Sequence, residues 1–239
     1  GIDTLKILTG HSAPIAGLAI GLNGLFYTGD TDGVVCQWNM ETGKAIKRIQ
    51  PPESTDMLGK MHGDAVISSL ACNCTGALLT AGWDDTVRVI DKTNDVVGTI
   101  ALEAQPHAMS CGTQLTAVLT VSGIVLVKDG AKVSPGVLSL KASGLSIAMS
   151  KDDSTLYVGG QDCKIYVYTV LSDFTLNPKH EINNGHLKPV HALALSHDQT
   201  KLASADVRDV CVWSLEDGIY SSIVGKSRWC FHTQRITCL

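Results

Sequence analysis

Histidine, a hydroxyl residue and aspartate recur together along the chain: His11 with Thr28 and Asp32, His62 with Thr80 and Asp84, and His186 with Asp206 and the nearby Ser204. At a single site, such a set would activate a hydroxyl nucleophile through the imidazole, or hold a metal between imidazole and carboxylate. Repetition argues against both. A catalytic or metal constellation is needed once per site, whereas these sets return with a period of roughly 40 to 45 residues. Two of the sets also carry Thr rather than Ser. They read as structural staples, so the expectation is no enzyme activity, no cofactor and no metal. Cys72-Asn73-Cys74 lacks zinc-ligand spacing and a second nearby pair, and reads as a strand-to-turn segment.

The elements that position these sets are short and apolar. Thr28–Trp38 is matched by Thr80–Ile90, by Val158–Tyr168 and, less regularly, by Ala203–Trp213. Asp32, Asp84 and Asp162 lie six residues before Trp38, Ile90 and Tyr168. Asp206 lies seven before Trp213, which reads as one extra residue in that turn. Upstream of the frames, His11, His62, His186 and His232 each precede an aliphatic residue by four positions. A degenerate copy without an Asp turn is expected around His107–Val127, with a weak strand pair at Leu115–Val121 and Ile124–Lys128.

Composition agrees with many strands. The 239 residues are 44% hydrophobic and 18% charged, with 23 glycines punctuating short Val, Ile, Thr and Ser blocks. A net charge of −4 gives no electrostatic footprint for nucleic acid or an anionic membrane, and no apolar run is long enough to span a bilayer. Gly1-Ile2-Asp3-Thr4 does not open a signal peptide. Of eight cysteines, Cys36 and Cys211 fall inside strand-like runs, and the set reads as free thiols in a reducing compartment. The sequon Asn73-Cys74-Thr75 is then silent.

The Gly-His and Trp-Asp-like frames resemble WD repeats, one four-stranded blade per unit. The resemblance implies an all-β fold, a β-propeller of four-stranded antiparallel blades. Approximate blades are 11–50, 62–101, 107–138, 144–182 and 186–225, with a sixth starting at 229. Five blades and the start of a sixth read as part of a seven-bladed ring in a longer protein. The family's buried relay passes from indole to hydroxyl to imidazole to carboxylate. His11, Thr28, Asp32 and Trp38 fill its four places, and His62, Thr80 and Asp84 fill three, with Ile90 in place of the indole. Asp162 stands without a His: Val158 takes the hydroxyl place, and the neighbourhood of Lys141 takes the imidazole place. His186, Asp206 and Trp213 form the last set, with Ser204 or nothing as the hydroxyl.

Gly82–Val89, Val158–Tyr168, Trp229-Cys230-Phe231-His232-Thr233 and the Gln105–Met109 stretch together resemble the C-terminal propeller of the actin-interacting protein 1 family. That resemblance implies a non-enzymatic interaction module with actin filaments and cofilin as partners. It implies promotion of cofilin-dependent filament disassembly, barbed-end capping and a cytoplasmic place on the actin cytoskeleton. The alternative is a general WD-repeat scaffold for a multiprotein or signalling complex. On either reading partners bind at loops on the blade rims. Trp83 is the foremost candidate, either as an exposed contact or wedged between blades; Asp85, Asp64, Asp30, Gln161 and Lys188 are expected at comparable rim positions. Pro51–Asp56 reads as a surface loop.

Overall fold

Runs of five or six residues rich in Val, Ile, Thr and Leu suit a pleated, half-buried surface better than a long helix. Among the described residues they form twenty strands and no α-helix. The computed structural model describes residues 7–50, 60–63, 65–216 and 220–224, with Ile223 and Val224 described by backbone alone. The segment 51–56, Asp64 and the region from 229 onward therefore lie outside the described residues.

The chain divides into two compact units, Gly1–His107 and Ala108–Leu239. The first unit contains blade 1, with β1 (Ile15–Ile20), β2 (Leu25–Asp30), β3 (Val35–Asn39) and β4 (Ala45–Ile49). It also contains blade 2, with β5 (Ile67–Cys72), β6 (Leu78–Gly82), β7 (Thr86–Ile90) and β8 (Val96–Ala101). Blade 3 consists of β9 (Pro106–Cys111), which starts at the unit boundary, then β10 (Leu115–Thr120), β11 (Gly123–Lys128) and β12 (Ala131–Lys132). The second unit continues with blade 4, β13 (Gly144–Met149), β14 (Thr155–Gly160), β15 (Ile165–Val170) and β16 (Leu176–Ile182). Blade 5 is β17 (Ala192–Leu195), β18 (Lys201–Ala205), β19 (Val210–Ser214) and β20 (Ser221–Val224). Every blade is a four-stranded meander in chain order, the repeated sheet of a WD blade. Asn23 and Gly24 both adopt positive φ, 54° and 71°, which turns β1 directly into β2.

A register shift recurs between the third and fourth strands, at Gln37/Trp38, Val89/Ile90, Val167/Tyr168 and Val212/Trp213. Such a bulge re-aims the side chain that follows it. In blades 1 and 5 that side chain is an indole.

Within the first unit, Val35, Ile49, Met61, Ile67, Leu70, Leu78 and Ile90 share one buried cluster. Glycine keeps the seam tight, because a Cβ on Gly29 would lie 2.6 Å from Leu70 Cδ1. In the second unit, Leu119, Ile124, Leu126, Ile147, Leu156 and Tyr168 belong to another cluster, which joins blades 3 and 4. The third copy was expected to be weak. Instead, all six residues of β10 are buried and pair in unbroken register with β11, from Leu115↔Lys128 to Thr120↔Gly123. Its fourth strand is the reduced element. β12 has two residues, and a loop finishes the edge through Ser134 Oγ, which accepts the Leu126 amide, and an isolated Ile124↔Leu138 bridge.

Candidate functional site

The third-strand bulge of blade 5 brings Trp213 over the second strand. Its indole N–H donates to Ser204 Oγ at 2.8 Å. Ser204 Oγ lies 2.7 Å from His186 Nε2, and His186 Nδ1 lies 3.0 Å from Asp206 Oδ2. An indole can only donate, so the serine proton goes to Nε2, and Nδ1–H goes to the carboxylate. Blade 1 repeats the arrangement. Trp38 donates to Thr28 Oγ1 at 2.7 Å, Thr28 to His11 Nε2 at 2.6 Å, and His11 Nδ1–H to Asp30 Oδ2 at 2.6 Å. The order of groups is that of a hydrolytic triad, but the hydroxyl oxygen is occupied by an indole. All four groups are buried in blade 5, which gives a substrate no approach. A closed network of this kind fixes register and turn geometry.

Glycine before histidine has a physical reason in the same two blades. A Cβ on Gly10 would fall 2.7 Å from the Trp38 ring, and one on Gly185 would overlap the Trp213 ring. In blade 2, where Ile90 replaces the indole, fully buried Met61 precedes the histidine. His62 still lies 2.8 Å from Thr80 Oγ1 and 2.9 Å from Asp84 Oδ1.

The carboxylate beside His11 is Asp30, not the expected Asp32. Asp30 ends β2, and its second oxygen accepts the Asp32 and Val34 amides at 3.0 and 2.9 Å, so it caps the turn from inside. Asp32 points outward and is exposed. Asp30, expected on the rim, is therefore buried. Asp206 holds the same place, accepting the Arg208 and Asp209 amides. Its spacing of seven does not mark a longer turn. Four residues separate the paired Ala205 and Val210, one fewer than separate Gly29 and Val35. The spacing arises because this carboxylate opens the turn, whereas Asp84 sits two residues further in. Asp162 joins no histidine; its carboxylate accepts the Tyr166 hydroxyl at 2.6 Å. Burial and that carboxylate both push the Tyr166 phenol up.

Burial pushes the Asp84 carboxyl up, but hydrogen bonds from His62 and Thr86 outweigh it and hold the group below the ordinary aspartate value. Asp206 has the same balance: the backbone amides of Arg208 and Asp209, with His186, outweigh burial and hold its carboxyl low.

The same end of each blade carries the rim. The residue after the second strand is pinned by its amide to the segment leading into the first strand: Thr31 to Pro14, Trp83 to Val66 and Gln161 to Ser143, at 3.0, 2.9 and 2.9 Å. Trp83 is thus held by its backbone while the residue as a whole is 54% exposed, so it is not buried between blades. Asp85 beside it is exposed, with a φ of 57° that Asp tolerates, and its carbonyl accepts the Leu102 amide. Gln161 and Lys188 are also exposed. Asp64 lies outside the described residues.

The WD domain, G-beta repeat family model matches residues 2–39 and 56–91. Over 97% of its length the chain is 29% identical to actin-interacting protein 1 of Drosophila melanogaster, covering 36% of that protein. It is equally identical, over 98% of its length, to the 66 kDa stress protein of Physarum polycephalum, covering 37% of it. For WD repeat-containing protein 1-A of Xenopus laevis the figures are 29% identity, 90% of the chain and 34% of the relative. The chain spans little more than a third of the length of these curated relatives.

Proposed function

Since the chain carries WD repeats and is similar along nearly its whole length to actin-interacting protein 1, we propose that it is a non-enzymatic interaction module of a longer actin-interacting protein. In that protein it serves cofilin-dependent disassembly of actin filaments and capping of their barbed ends, in the cytoplasm, on the actin cytoskeleton. The observation that carries a docking role is Trp83. A large ring stands exposed on a backbone already fixed by the Trp83–Val66 hydrogen bond, beside the carboxylates of Asp84 and Asp85. A preordered aromatic loses little freedom on binding, which is what makes such residues dominate interfaces. Asp85 flanks it, and Gln161 and Lys188 are the corresponding rim contacts of the second unit.

The test is cosedimentation of the longer parent protein with cofilin-decorated filaments. Trp83→Ala should weaken binding by about 2 kcal/mol or more and leave the thermal melt within about 0.5 kcal/mol of the parent. A variant that melts normally and still binds and disassembles filaments like the parent removes Trp83 from the interface. A parent that neither pellets with the filaments nor changes their disassembly removes the actin reading and leaves a scaffold for other protein partners.

A further inference from the structure

Asparagine followed by glycine is prone to spontaneous deamidation, because a residue without Cβ leaves its amide nitrogen open to the side-chain carbonyl before it. The chain has two such pairs, Asn23-Gly24 and Asn184-Gly185. The fold treats them differently.

Asn23 and Gly24 form the tip of the β1–β2 hairpin, both at positive φ. The Gly21 amide donates to Leu25 and the Leu25 amide to Leu22, at 2.9 and 3.1 Å, so the tip is clamped. That clamp resists the backbone rotation that would bring the Gly24 nitrogen onto the Asn23 side chain. A Cβ on Gly24 would meet nothing within 4 Å, so nothing is packed on it.

Asn184 and Gly185 lie in an irregular bend between β16 and β17. Asn183 and Asn184 are exposed, whereas Gly185 and His186 are buried. Among the described residues, no hydrogen bond holds Asn184 or the Gly185 amide. Asn184 is therefore free to turn its side-chain carbonyl toward the Gly185 nitrogen. Downstream there is no slack. Gly185 lies against the Trp213 ring with no room for a Cβ, its carbonyl accepts the Cys211 thiol at 3.5 Å, and the next residue is the relay histidine.

We propose that Asn184 is a site of spontaneous deamidation, and that isoaspartate formed there loosens the relay of blade 5. The Gly185 nitrogen gives up its proton and bonds to Asn184 Cγ, and the side-chain amide leaves as ammonia. The product is a cyclic succinimide. Water then opens the ring at either carbonyl. Opening at the side-chain carbonyl gives aspartate. Opening at the main-chain carbonyl gives isoaspartate, whose main chain runs through Cβ and is longer by one carbon. Both products add a negative charge, but isoaspartate alone lengthens the chain. The added atom enters beside a glycine that cannot shift without moving Trp213, and just ahead of His186. It therefore disturbs a network that is stable only when every member is satisfied. The proposal does not depend on which partner the chain binds.

Peptide mapping by mass spectrometry, with isoaspartate-specific methyl labelling, tests the site on the full chain aged in mildly alkaline buffer, which favours loss of the amide proton. The Asn184 peptide should show the mass change of amide-to-acid conversion and take up label, ahead of the Asn23 peptide. Asn184→Gln, whose longer side chain closes a ring far more slowly, should lose the label at this position and keep the parent's fold. Hydrogen exchange tests the consequence. The fraction deamidated at Asn184, isolated by ion exchange, should lose protection at the turn-side amides of β18 and β19. Asn184→Asp, with the same added charge and an unlengthened chain, should keep it. Label appearing first at Asn23, or none at Asn184, would overturn the site. Parent-like protection in the deamidated fraction, or an equal loss in Asn184→Asp, would overturn the link to the relay.

Discussion

Blades 5 and 3 use turns of the same length, four residues between Ala205 and Val210 and four between Leu119 and Ile124, yet they secure them by opposite means. Their ladders superpose residue by residue. Ser204↔Cys211 corresponds to Val118↔Val125, and Leu202↔Trp213 to Thr116↔Val127. The serine, aspartate and tryptophan of the relay thus become Val118, Thr120 and Val127, all buried. A buried polar network is stable only when every member is satisfied, and blade 3 keeps none of these three groups. The remaining hydroxyl serves its own turn: Thr120 Oγ1 donates to the Gly123 carbonyl and accepts the Ser122 amide. Blade 2 stands between the extremes. It keeps histidine, threonine and aspartate without the indole, and its Asp84 side chain is 26% exposed against 1% for Asp206. The relay is one way to fix a blade turn, and a continuous apolar ladder is another.

The strongest test of that contrast is at the indole position. Trp213→Ala removes a large buried ring and leaves Ser204 without its donor, so equilibrium unfolding should show a loss of about 3–5 kcal/mol. Val127→Ala, at the corresponding place in blade 3, deletes two methyl groups and should cost about 2 kcal/mol. Equal losses would mean that the indole contributes no more than aliphatic filling.

The next effect separates two aspartates of one turn. Asp30→Ala strands a buried imidazole and two turn amides and should cost about 1–3 kcal/mol. Asp32→Ala should stay within about 0.5 kcal/mol, because only its backbone amide takes part in the turn. Thermal melts that ranked the two the other way would displace Asp30 from the relay.

Much of this was legible in the sequence, and the failures have physical causes. The strand frames, the histidines and the two indoles follow from repetition, because each blade must solve the same burial problem. A fixed spacing to the aromatic points to Asp32, but the spacing is not fixed. A carboxylate can reach the imidazole either from the first turn residue, as Asp30 and Asp206 do, or from two residues further in, as Asp84 does. Spacing counted from the hydroxyl would have found it, since Thr28 precedes Asp30 and Ser204 precedes Asp206 by two. The pairing of glycine before histidine with a downstream tryptophan was also readable, in Gly10 with Trp38 and Gly185 with Trp213. Blade 3 looked weak because its signals are polar motifs it has given up; its burial is carried by β10 and β11, whose apolar runs alone do not reveal which blade they face.

Acid provides the mildest perturbation. The Asp206 carboxyl titrates below its unfolded value, so the folded state takes up its proton later than the unfolded state. A group lowered in this way adds stability above the ordinary carboxylate range and loses it as pH falls through the folded value. Asp84 follows the same sign in blade 2. Blade 3 has Thr120 in that place and nothing there to titrate. Hydrogen exchange at about pH 3 and about pH 6, each referred to its intrinsic rate, should therefore show the turn-side amides of β18 and β19 losing protection in acid. Those at the Leu119 and Ile124 end of β10 and β11 should keep theirs; the opposite end is less informative, because Asp153 accepts the Leu115 amide there. The loss should be smaller than in any deletion above, because a protonated carboxyl still fills its space and still forms a hydrogen bond. If both turns lost protection together, the acid-sensitive groups would lie outside the relay, and the polar network of blade 5 would be no more exposed to pH than the apolar ladder of blade 3.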